Sequence, residues 1–142
     1  MASFQVHILA ADHTFYQGPC QSLVIPTPQG QYGVLAHHSN MISAIVPGTL
    51  QYKLEGQPFQ TAAVSSGLIK VENNDVLILV DTAERPEEID EKRAKRAADE
   101  AKEAMLQKRS IREYRSAQAT LMRALTRLKV TREFRAKKDK NF

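Results

Sequence analysis

Cysteine, tryptophan and long hydrophobic runs are scarce or missing in this chain of 142 residues. Cys20 is the single cysteine, which excludes an internal disulfide bond and is typical of a reducing compartment. Without tryptophan, a core has to be built mainly from Val, Ile and Leu. No apolar run approaches the ~20 residues that a membrane span needs, and the first residues lack the segments of a secretory signal. We expect a soluble cytoplasmic protein, held at a membrane only through a partner.

The sequence motifs of common catalytic and metal sites are also missing. There is no P-loop, no dinucleotide-binding glycine motif after a strand and no nucleophile-elbow serine. A zinc site at His37 and His38 would need further ligands, and neither a cysteine pair nor an HExxH motif supplies them, so surface or interface histidines are the favoured interpretation. We predict a protein that is not an enzyme, holds no metal and requires no cofactor.

Glycine and proline stop at Pro86, and the character of the chain changes there. Residues 1–86 carry three basic and six acidic side chains, a net −3, whereas residues 87–142 carry 17 and ten, a net +7. Pro86 followed by Glu87 and Glu88 is typical of a helix start, because proline fits a first turn and acids there stabilise the helix dipole. We predict two unlike domains, residues 1–86 and residues 87–142.

Short apolar segments with the period of a β-strand fill the first of these domains. Phe4, Val6 and Ile8 alternate with polar residues, and similar segments recur up to Val80. Turn residues separate them, and Asn73-Asn74 fits a tight hairpin because asparagine tolerates positive φ. About eight or nine strands at this spacing predict an all-β sandwich or barrel.

Apolar residues in the second domain recur at intervals of three and four. Residues 94–105 contribute one set, mostly alanine, and residues 114–128 another, so each forms one face of an amphipathic helix. We predict a helical hairpin that bends at residues 108–110 and frays over residues 132–142. The bend has no Gly, Pro or Asn, so the hairpin is weakly specified against one continuous helix of roughly 75 Å. We therefore hypothesise a two-state tail, biased by whatever binds it.

Charged residues could meet at one end of this hairpin. Glu84, Asp90 and Arg93 surround the start of the first helix, and Arg123 and Arg127 lie four apart on the second. Surface ion pairs, each worth under about 1 kcal/mol, are the favoured interpretation. The alternative is a small anion or nucleotide pocket, because arginine binds phosphate and a carboxylate accepts from a base or ribose. Basic helices can also bind nucleic acid, but the interspersed acids and the apolar seam favour a protein partner.

Six segments carry a family resemblance, in this order along the chain: GQYGVLAHH at residues 30–38, PG at 47–48, SSGLIKV at 65–71, DTAER at 81–85, IDEKRA at 89–94 and the run at 121–130. They resemble motifs of the epsilon subunit of bacterial F-type ATP synthases, from about Phe4 to Val130. The resemblance implies an α+β fold class, with an N-terminal antiparallel β-sandwich followed by a C-terminal two-helix antiparallel hairpin.

The resemblance implies a part of the central-stalk rotor rather than a catalyst. The family's β-sandwich contacts the gamma subunit and the c-ring, and it couples ion flow to ATP synthesis. Its helical hairpin can extend into the alpha/beta catalytic head and inhibit ATP hydrolysis. Such a subunit is peripheral, at the cytoplasmic face of the bacterial cell membrane. The alternative function is a nucleotide-sensing or nucleic-acid-binding module with a basic helical tail.

The resemblance also implies site residues. Gln31 and Tyr32 correspond to the loop that meets the c-ring, where many relatives have Glu in place of Gln31, and His38 lies near the stalk interface. A further arginine of ATP-binding relatives is replaced by Glu100, whose charge would repel phosphate, so ATP is expected only as a weak regulatory ligand. The pocket of those relatives corresponds here to Glu84, Asp90, Arg93, Ala94, Arg123 and Arg127.

Overall fold

The computed structural model describes residues 2–107 and 110–140. The chain divides into two compact units, Met1–Glu84 and Arg85–Phe142. Each unit has a hydrophobic cluster of its own. The first consists of strands and the second of helices, so the predicted α+β class is confirmed.

Ten strands of the described residues form two five-stranded sheets. The first sheet has the order β2-β1-β9-β8-β5, and the second has the order β10-β7-β6-β3-β4. The strands are β1 Phe4–Ala10, β2 Thr14–Cys20, β3 Ser22–Thr27, β4 Gly30–Leu35, β5 Met41–Ile45, β6 Gly48–Lys53, β7 Gln60–Val64, β8 Gly67–Glu72, β9 Asp75–Val80 and β10 Ala83–Glu84.

The predicted β-sandwich is therefore present, with one parallel pair among the strand pairs described. Strand β1 runs parallel to β9, with Gln5 opposite Asp75 and Ala10 opposite Val80, while the other pairs are antiparallel. Strands joined by a two-residue hairpin have to be antiparallel. Because β1 and β9 lie at opposite ends of the unit's sequence, no hairpin joins them and they can run parallel. Side-chain alternation does not reveal strand direction, so the sequence could not predict this pair.

The core of the first unit follows the alternation read from the sequence. Phe4, Val6 and Ile8 on β1 are buried, whereas Gln5 between them is exposed. The largest fully buried side chains of the two sheets are Ile8, Leu23, Ile25, Ile45, Leu50, Ile69 and Ile78. Burying one such side chain stabilises a fold by about 1.5–3 kcal/mol, so this core is the main source of the unit's stability.

The predicted tight turn joins β8 to β9. Asn73 and Asn74 have φ of 52° and 63°, and Glu72 pairs with Asp75 across them. Two successive positive φ values are those of the primed turns that suit the twist of antiparallel strands. His37, in the loop between β4 and β5, also has a positive φ, of 63°.

The second unit starts with a 3₁₀ turn and continues with two helices. The turn is Pro86–Glu88, helix α1 is Glu91–Leu106, and helix α2 is Ile111–Lys140. Asp90 caps α1, because its carboxylate accepts the Arg93 backbone N–H at 3.1 Å. The predicted helix start at Pro86 is thus a 3₁₀ turn, and the α-helix begins five residues later.

The predicted hairpin bend lies partly outside the described residues, at positions 108 and 109. Ser110 follows them, and its hydroxyl accepts the Glu113 backbone N–H at 3.1 Å, which caps the start of α2. A serine three residues before a glutamate is a helix-start signal that the sequence interpretation missed. The hairpin is therefore better specified than the lack of Gly, Pro and Asn indicated.

The predicted fraying of residues 132–142 is wrong for residues 132–140. Helix α2 spans 30 residues and continues to Lys140, while residues 141 and 142 lie outside the described part. Two of its late residues, Arg132 and Arg135, form ion pairs with Glu91 of α1, and α2 also packs against the 3₁₀ turn. These contacts stabilise the part of α2 that follows the last residues of the apolar pattern.

A narrow apolar seam joins the two helices. Ala94 and Ala98 of α1 form one buried cluster with Ala124 and Leu128 of α2. The ion pairs of Glu91, the first residue of α1, with Arg132 and Arg135 near the end of α2 make the hairpin antiparallel, as predicted. Alanine has only a methyl side chain, so the two backbones can approach closely. Among the described residues, no helix is both long and apolar enough to cross a membrane.

Candidate functional site

The first candidate site lies on β4, the edge strand of the second sheet. The sequence placed Gln31 and Tyr32 in a loop, but both lie within β4, paired to Pro26 and Ile25 of β3. On β4 only Val34 is buried, and the other five residues are exposed. Successive strand residues point to opposite sides, so Gln31 and Tyr32 do not share a face.

The structure brings Tyr32 and His38 together. The Tyr32 hydroxyl lies 2.7 Å from His38 Nε2, and the rings meet edge to face with centroids 5.5 Å apart. His38 Nδ1 lies 2.7 Å from the Ser39 carbonyl oxygen, which can only accept. Nδ1 therefore donates to this carbonyl, and in the neutral imidazole Nε2 accepts from the tyrosine hydroxyl. The imidazole and the tyrosine thus form one oriented pair.

An exposed leucine lies at the end of the same strand. The Leu35 side chain ends β4 and is 62% exposed, and its carbonyl accepts the His38 backbone N–H at 3.2 Å. Tyr32 is 39% exposed. We call Tyr32, Leu35 and His38, which line this edge of the sheet, the edge patch; Leu35 lies three residues from Tyr32 and so points to the other side of β4. The edge patch combines apolar area with hydrogen-bonding groups on a rigid strand, which is the chemistry of a protein contact rather than of a reaction centre.

The second candidate site lies in the hairpin, where the sequence placed a nucleotide pocket. Asp90 caps α1, and Ala94 is 2% exposed within the seam. Arg93, beside them, has an exposed side chain. Because the Asp90 carboxylate already binds the backbone of α1, a nucleotide contact there would compete with the cap. Glu84 lies in β10, in the first unit, and is half-buried.

Two arginines of α2 flank the other half of the seam. Arg123 and Arg127 directly precede Ala124 and Leu128, the α2 members of the buried cluster. The Arg123 guanidinium donates to Thr120 Oγ1 at 3.1 Å, and Arg127 is half-buried. Both arginines are thus at the rim of the surface against which α1 packs.

Among the described residues, ion pairs that the sequence interpretation missed join the two helices across the seam. Glu91 binds Arg132, at 3.7 Å between Nε and Oε1, and also Arg135. Arg132 and Arg135 lie three apart on α2, so both can reach one acid. An acid in the first turn of α1 and two arginines three apart on α2 are visible in the sequence. To predict that they pair, one would need to know which residues of the two helices lie opposite each other.

The exposed face of α1 forms an open groove of about 420 Å³ that includes Glu100. Its three cations and three anions leave no excess positive charge for a phosphate. The lining residues are Lys92, Lys95, Arg96, Asp99, Glu100 and Glu103. Among the described residues, no three His, Cys, Asp or Glu side chains come together as metal ligands.

Cys20 lies in the core of the first unit. Its thiol donates to the carbonyl oxygens of Ser22 and Lys53 at 3.2 and 3.4 Å. Burial raises the pKa of this thiol above its ordinary value of 9.0, although hydrogen bonds with the backbone oppose the shift. A protonated, buried thiol is a poor nucleophile.

Comparison with known families covers both units. Residues 3–86 match the ATP synthase, Delta/Epsilon chain, beta-sandwich domain. Residues 87–132 match the ATP synthase, Delta/Epsilon chain, long alpha-helix domain. The two matches meet between Pro86 and Glu87.

Curated relatives match over nearly their whole length. A protein of Caldanaerobacter subterraneus named ATP synthase epsilon chain is 39% identical over 133 residues, which is 93% of this chain and 96% of the relative. One of Nitrosospira multiformis with the same name is 33% identical, over 95% of this chain and 97% of the relative.

Two solved structures have a similar fold. A chain of the Euglena gracilis mitochondrial ATP synthase, solved as OSCP/F1/c-ring, aligns with a TM-score of 0.76 and 26% identity, over 86% of this chain and 77% of that one. A chain of the Tetrahymena thermophila mitochondrial ATP synthase central stalk/c-ring aligns with a TM-score of 0.62 at 14% identity, which supports the fold alone.

Proposed function

The chain belongs to the ATP synthase delta/epsilon family, as a non-catalytic epsilon-type subunit, and we propose that it couples the rotor to catalysis and restrains ATP hydrolysis. The observation that carries this proposal is the match of both units in one chain, residues 3–86 and 87–132. In this proposal the first unit is the anchor to the gamma subunit and the c-ring. The second unit is a tail that extends into the alpha/beta catalytic head.

The edge patch supports the role of the first unit as an anchor. The Tyr32 hydroxyl and His38 Nε2 are 2.7 Å apart, and Leu35 at the end of the same strand is exposed. A patch that is ordered before binding loses little side-chain entropy when a partner covers it. We propose that the edge patch and the exposed Gln31 meet the c-ring and the stalk. An uncharged Gln31 would do so by hydrogen bonding.

The hairpin has the properties that an extensible tail needs. Three of the four buried side chains in its seam are alanines, and Leu128 is the fourth, so separating the helices exposes less apolar area than a seam of large side chains would. The Glu91 ion pairs are partly exposed, and such pairs contribute under about 1 kcal/mol each. A partner that binds the straightened helix therefore has little to overcome. One helix through α1, the bend and α2 would be roughly 75 Å long.

We also propose that ATP binds the folded hairpin weakly, through Arg93, Arg123 and Arg127. These arginines could contact its phosphates, whereas the mixed charge around Glu100 and the capping role of Asp90 oppose binding. An Arg93→Ala, Arg127→Ala double variant should lose binding measured by calorimetry, and Glu100→Arg should tighten it. An unchanged affinity in the double variant would exclude this site.

In the assembled enzyme the chain is peripheral to the membrane, and we place it at the cytoplasmic face of the bacterial cell membrane. It reaches the membrane only through its partners. An independent nucleotide-sensing or nucleic-acid-binding module would instead purify as a monomer, and its binding to nucleic acid would fall steeply with salt. Co-purification with gamma distinguishes the two functions.

The test of the regulatory role is ATP hydrolysis by the reconstituted enzyme, with the full chain and with a chain ending at Pro86. We expect the shortened chain to assemble and hydrolysis to rise. Unchanged hydrolysis in an intact assembly would contradict the inhibitory role of the tail. The matched control is the full chain with Lys95→Leu, an exposed change on α1 that leaves the seam intact.

A further inference from the structure

The side chain of Asn74 joins three separate segments of the first unit. Its Oδ1 accepts the His37 backbone N–H at 2.7 Å, and its Nδ2 donates to the Ser3 carbonyl at 3.0 Å. Ser3 directly precedes β1, Asn74 lies in the β8–β9 turn, and His37 lies in the loop that leads from β4 to β5. That loop passes from the second sheet to the first.

A second hydrogen bond ties the same loop to the same turn. Asn40 Oδ1 accepts the Asn73 backbone N–H at 2.9 Å. The loop therefore touches the turn at both of its ends, and each contact uses one asparagine side chain and one backbone N–H. The two bonds run in opposite directions: Asn74 contributes its side chain, whereas Asn73 contributes only its backbone.

The bond from His37 matters most because of the backbone conformation there. His37 has φ of 63°, in the left-handed region that residues other than glycine seldom occupy. A hydrogen bond that holds this N–H stabilises a backbone conformation that is unfavourable for a residue with a Cβ atom. His38 is the next residue, so a change at His37 redirects its backbone and its imidazole.

We propose that Asn74 is a positioning residue for the edge patch, acting through His37. By fixing the left-handed backbone at His37, it aims the His38 ring at the Tyr32 hydroxyl and presents the pair as one surface. The inference rests on the proposed role of the edge patch as a contact with the c-ring and stalk. It adds that the orientation of this contact is set from the opposite sheet, by a residue outside the contact itself.

The β8–β9 turn offers a matched set of variants. Asn74→Gly removes both side-chain bonds but accepts the φ of 63°. Asn74→Asp keeps an oxygen acceptor for the His37 N–H and replaces the donor to Ser3 with a charged oxygen. Asn73→Gly is the control, because Asn73 shares the positive φ and donates through its backbone.

Two measurements follow each full-length variant. Affinity of the gamma-bound chain for purified c-rings should fall about three- to tenfold in Asn74→Gly, the range expected for one lost hydrogen bond. It should stay within about twofold in Asn74→Asp and Asn73→Gly. In the free chain, NMR should show faster His37 amide exchange and shifted His38 ring resonances for Asn74→Gly alone.

The outcomes separate the inference from the function on which it rests. If Tyr32→Ala weakens ring binding but Asn74→Gly does not, Asn74 is not a positioning residue. Equal losses in Asn74→Gly and Asn73→Gly would also overturn the inference, since they would show a general effect of the turn. If NMR changes as expected and neither Tyr32→Ala nor Asn74→Gly alters ring binding, Asn74 does position the patch, but the proposed contact is wrong.

Discussion

The two units of this chain are stabilised by unlike amounts of buried surface. In the first unit, the large side chains of two sheets face each other, and Ile8, Leu23 and Ile78 are fully buried. In the second, the cluster between the helices consists of three alanines and Leu128. Alanine buries far less apolar area than isoleucine or leucine, so the hairpin gains much less from packing per residue.

This difference suits the two roles that we propose. An anchor has to keep one shape while it transmits torque, and a deep core supplies that rigidity. A regulatory tail has to leave its packed position at small cost, and regions with few buried contacts open at low free energy. The Asp90 cap is available to the folded and the extended tail alike, whereas the Ser110 cap favours the hairpin by about 1 kcal/mol, a small free energy for a partner surface to offset.

The largest expected effect comes from a cavity in the first unit. Ile78→Ala should destabilise that unit by about 3–4 kcal/mol, because Ile78 is fully buried and its neighbours relax only partially around the cavity. Denaturant unfolding of the full chain measures the loss. Leu79→Ala, on the same strand but 40% exposed, is the matched control and should cost much less. Similar losses of stability in both variants would show that the buried face of β9 contributes no more than its exposed face.

The next effect is overpacking of the seam. Ala98→Leu should destabilise the hairpin by about 1–3 kcal/mol, because Ala98 is 2% exposed and has no room for a larger side chain. Hydrogen exchange should quicken in α1 and α2 and stay unchanged in the sheets. Lys95→Leu on the exposed face is the control. If the sheets also lost protection, the two units would unfold together, which would contradict their unequal stability.

Alkaline pH should weaken the first unit through Cys20. The folded-state pKa of Cys20 is raised by burial, so the folded unit keeps this proton when the unfolded chain has lost it. The thiol's contribution is complete below the ordinary pKa of 9.0 and declines as the pH rises above it. Over one pH unit the decline should stay below about 1.4 kcal/mol.

Cys20→Ala provides the reference for that pH dependence. Tyrosines and lysines titrate in the same range, so the relevant quantity is the difference between the wild-type and Cys20→Ala profiles of unfolding free energy against pH. Parallel profiles from pH 8 to 10 would contradict a raised thiol pKa.

The smallest effect should come from the Glu91 ion pairs. Glu91→Gln should destabilise the hairpin by under about 1 kcal/mol, because its arginine partners are largely exposed. Added salt should lower the stability of the wild-type hairpin to that of the variant, since it screens exposed charges. Thermal unfolding of the helices at two salt concentrations measures both effects. Glu100→Gln, in the same helix, should show neither.

Much of the fold could be predicted because it depends on local patterns. The alternation of Phe4, Val6 and Ile8 predicted a strand with one buried face, and Asn73-Asn74 predicted the turn that follows β8. The Ala94 and Leu128 faces predicted two packed helices. Each of these features depends on residues close together in sequence, where the period of the side chains specifies the geometry.

Features that depend on distant residues could not be predicted in this way. The parallel pairing of β1 with β9, the Glu91 ion pairs and the bond from His37 to Asn74 all join residues that the sequence pattern does not relate. The edge patch was identified only in part, because the family resemblance named Tyr32 and His38 but not Leu35 or their orientation. The Ser110 cap could have been predicted from Glu113 three residues later, but the sequence interpretation missed it.

Hydrogen exchange of the tail, in the free chain and in the assembled enzyme with and without ATP, tests the central claim most directly. We predict that amides of α1 and α2 exchange through openings of lower free energy than those of the sheets. Their protection should change with assembly and ATP while the sheets stay constant. Helices protected as strongly as the sheets, with and without partners, would contradict the account, because a tail locked at the stability of the anchor cannot act as a switch.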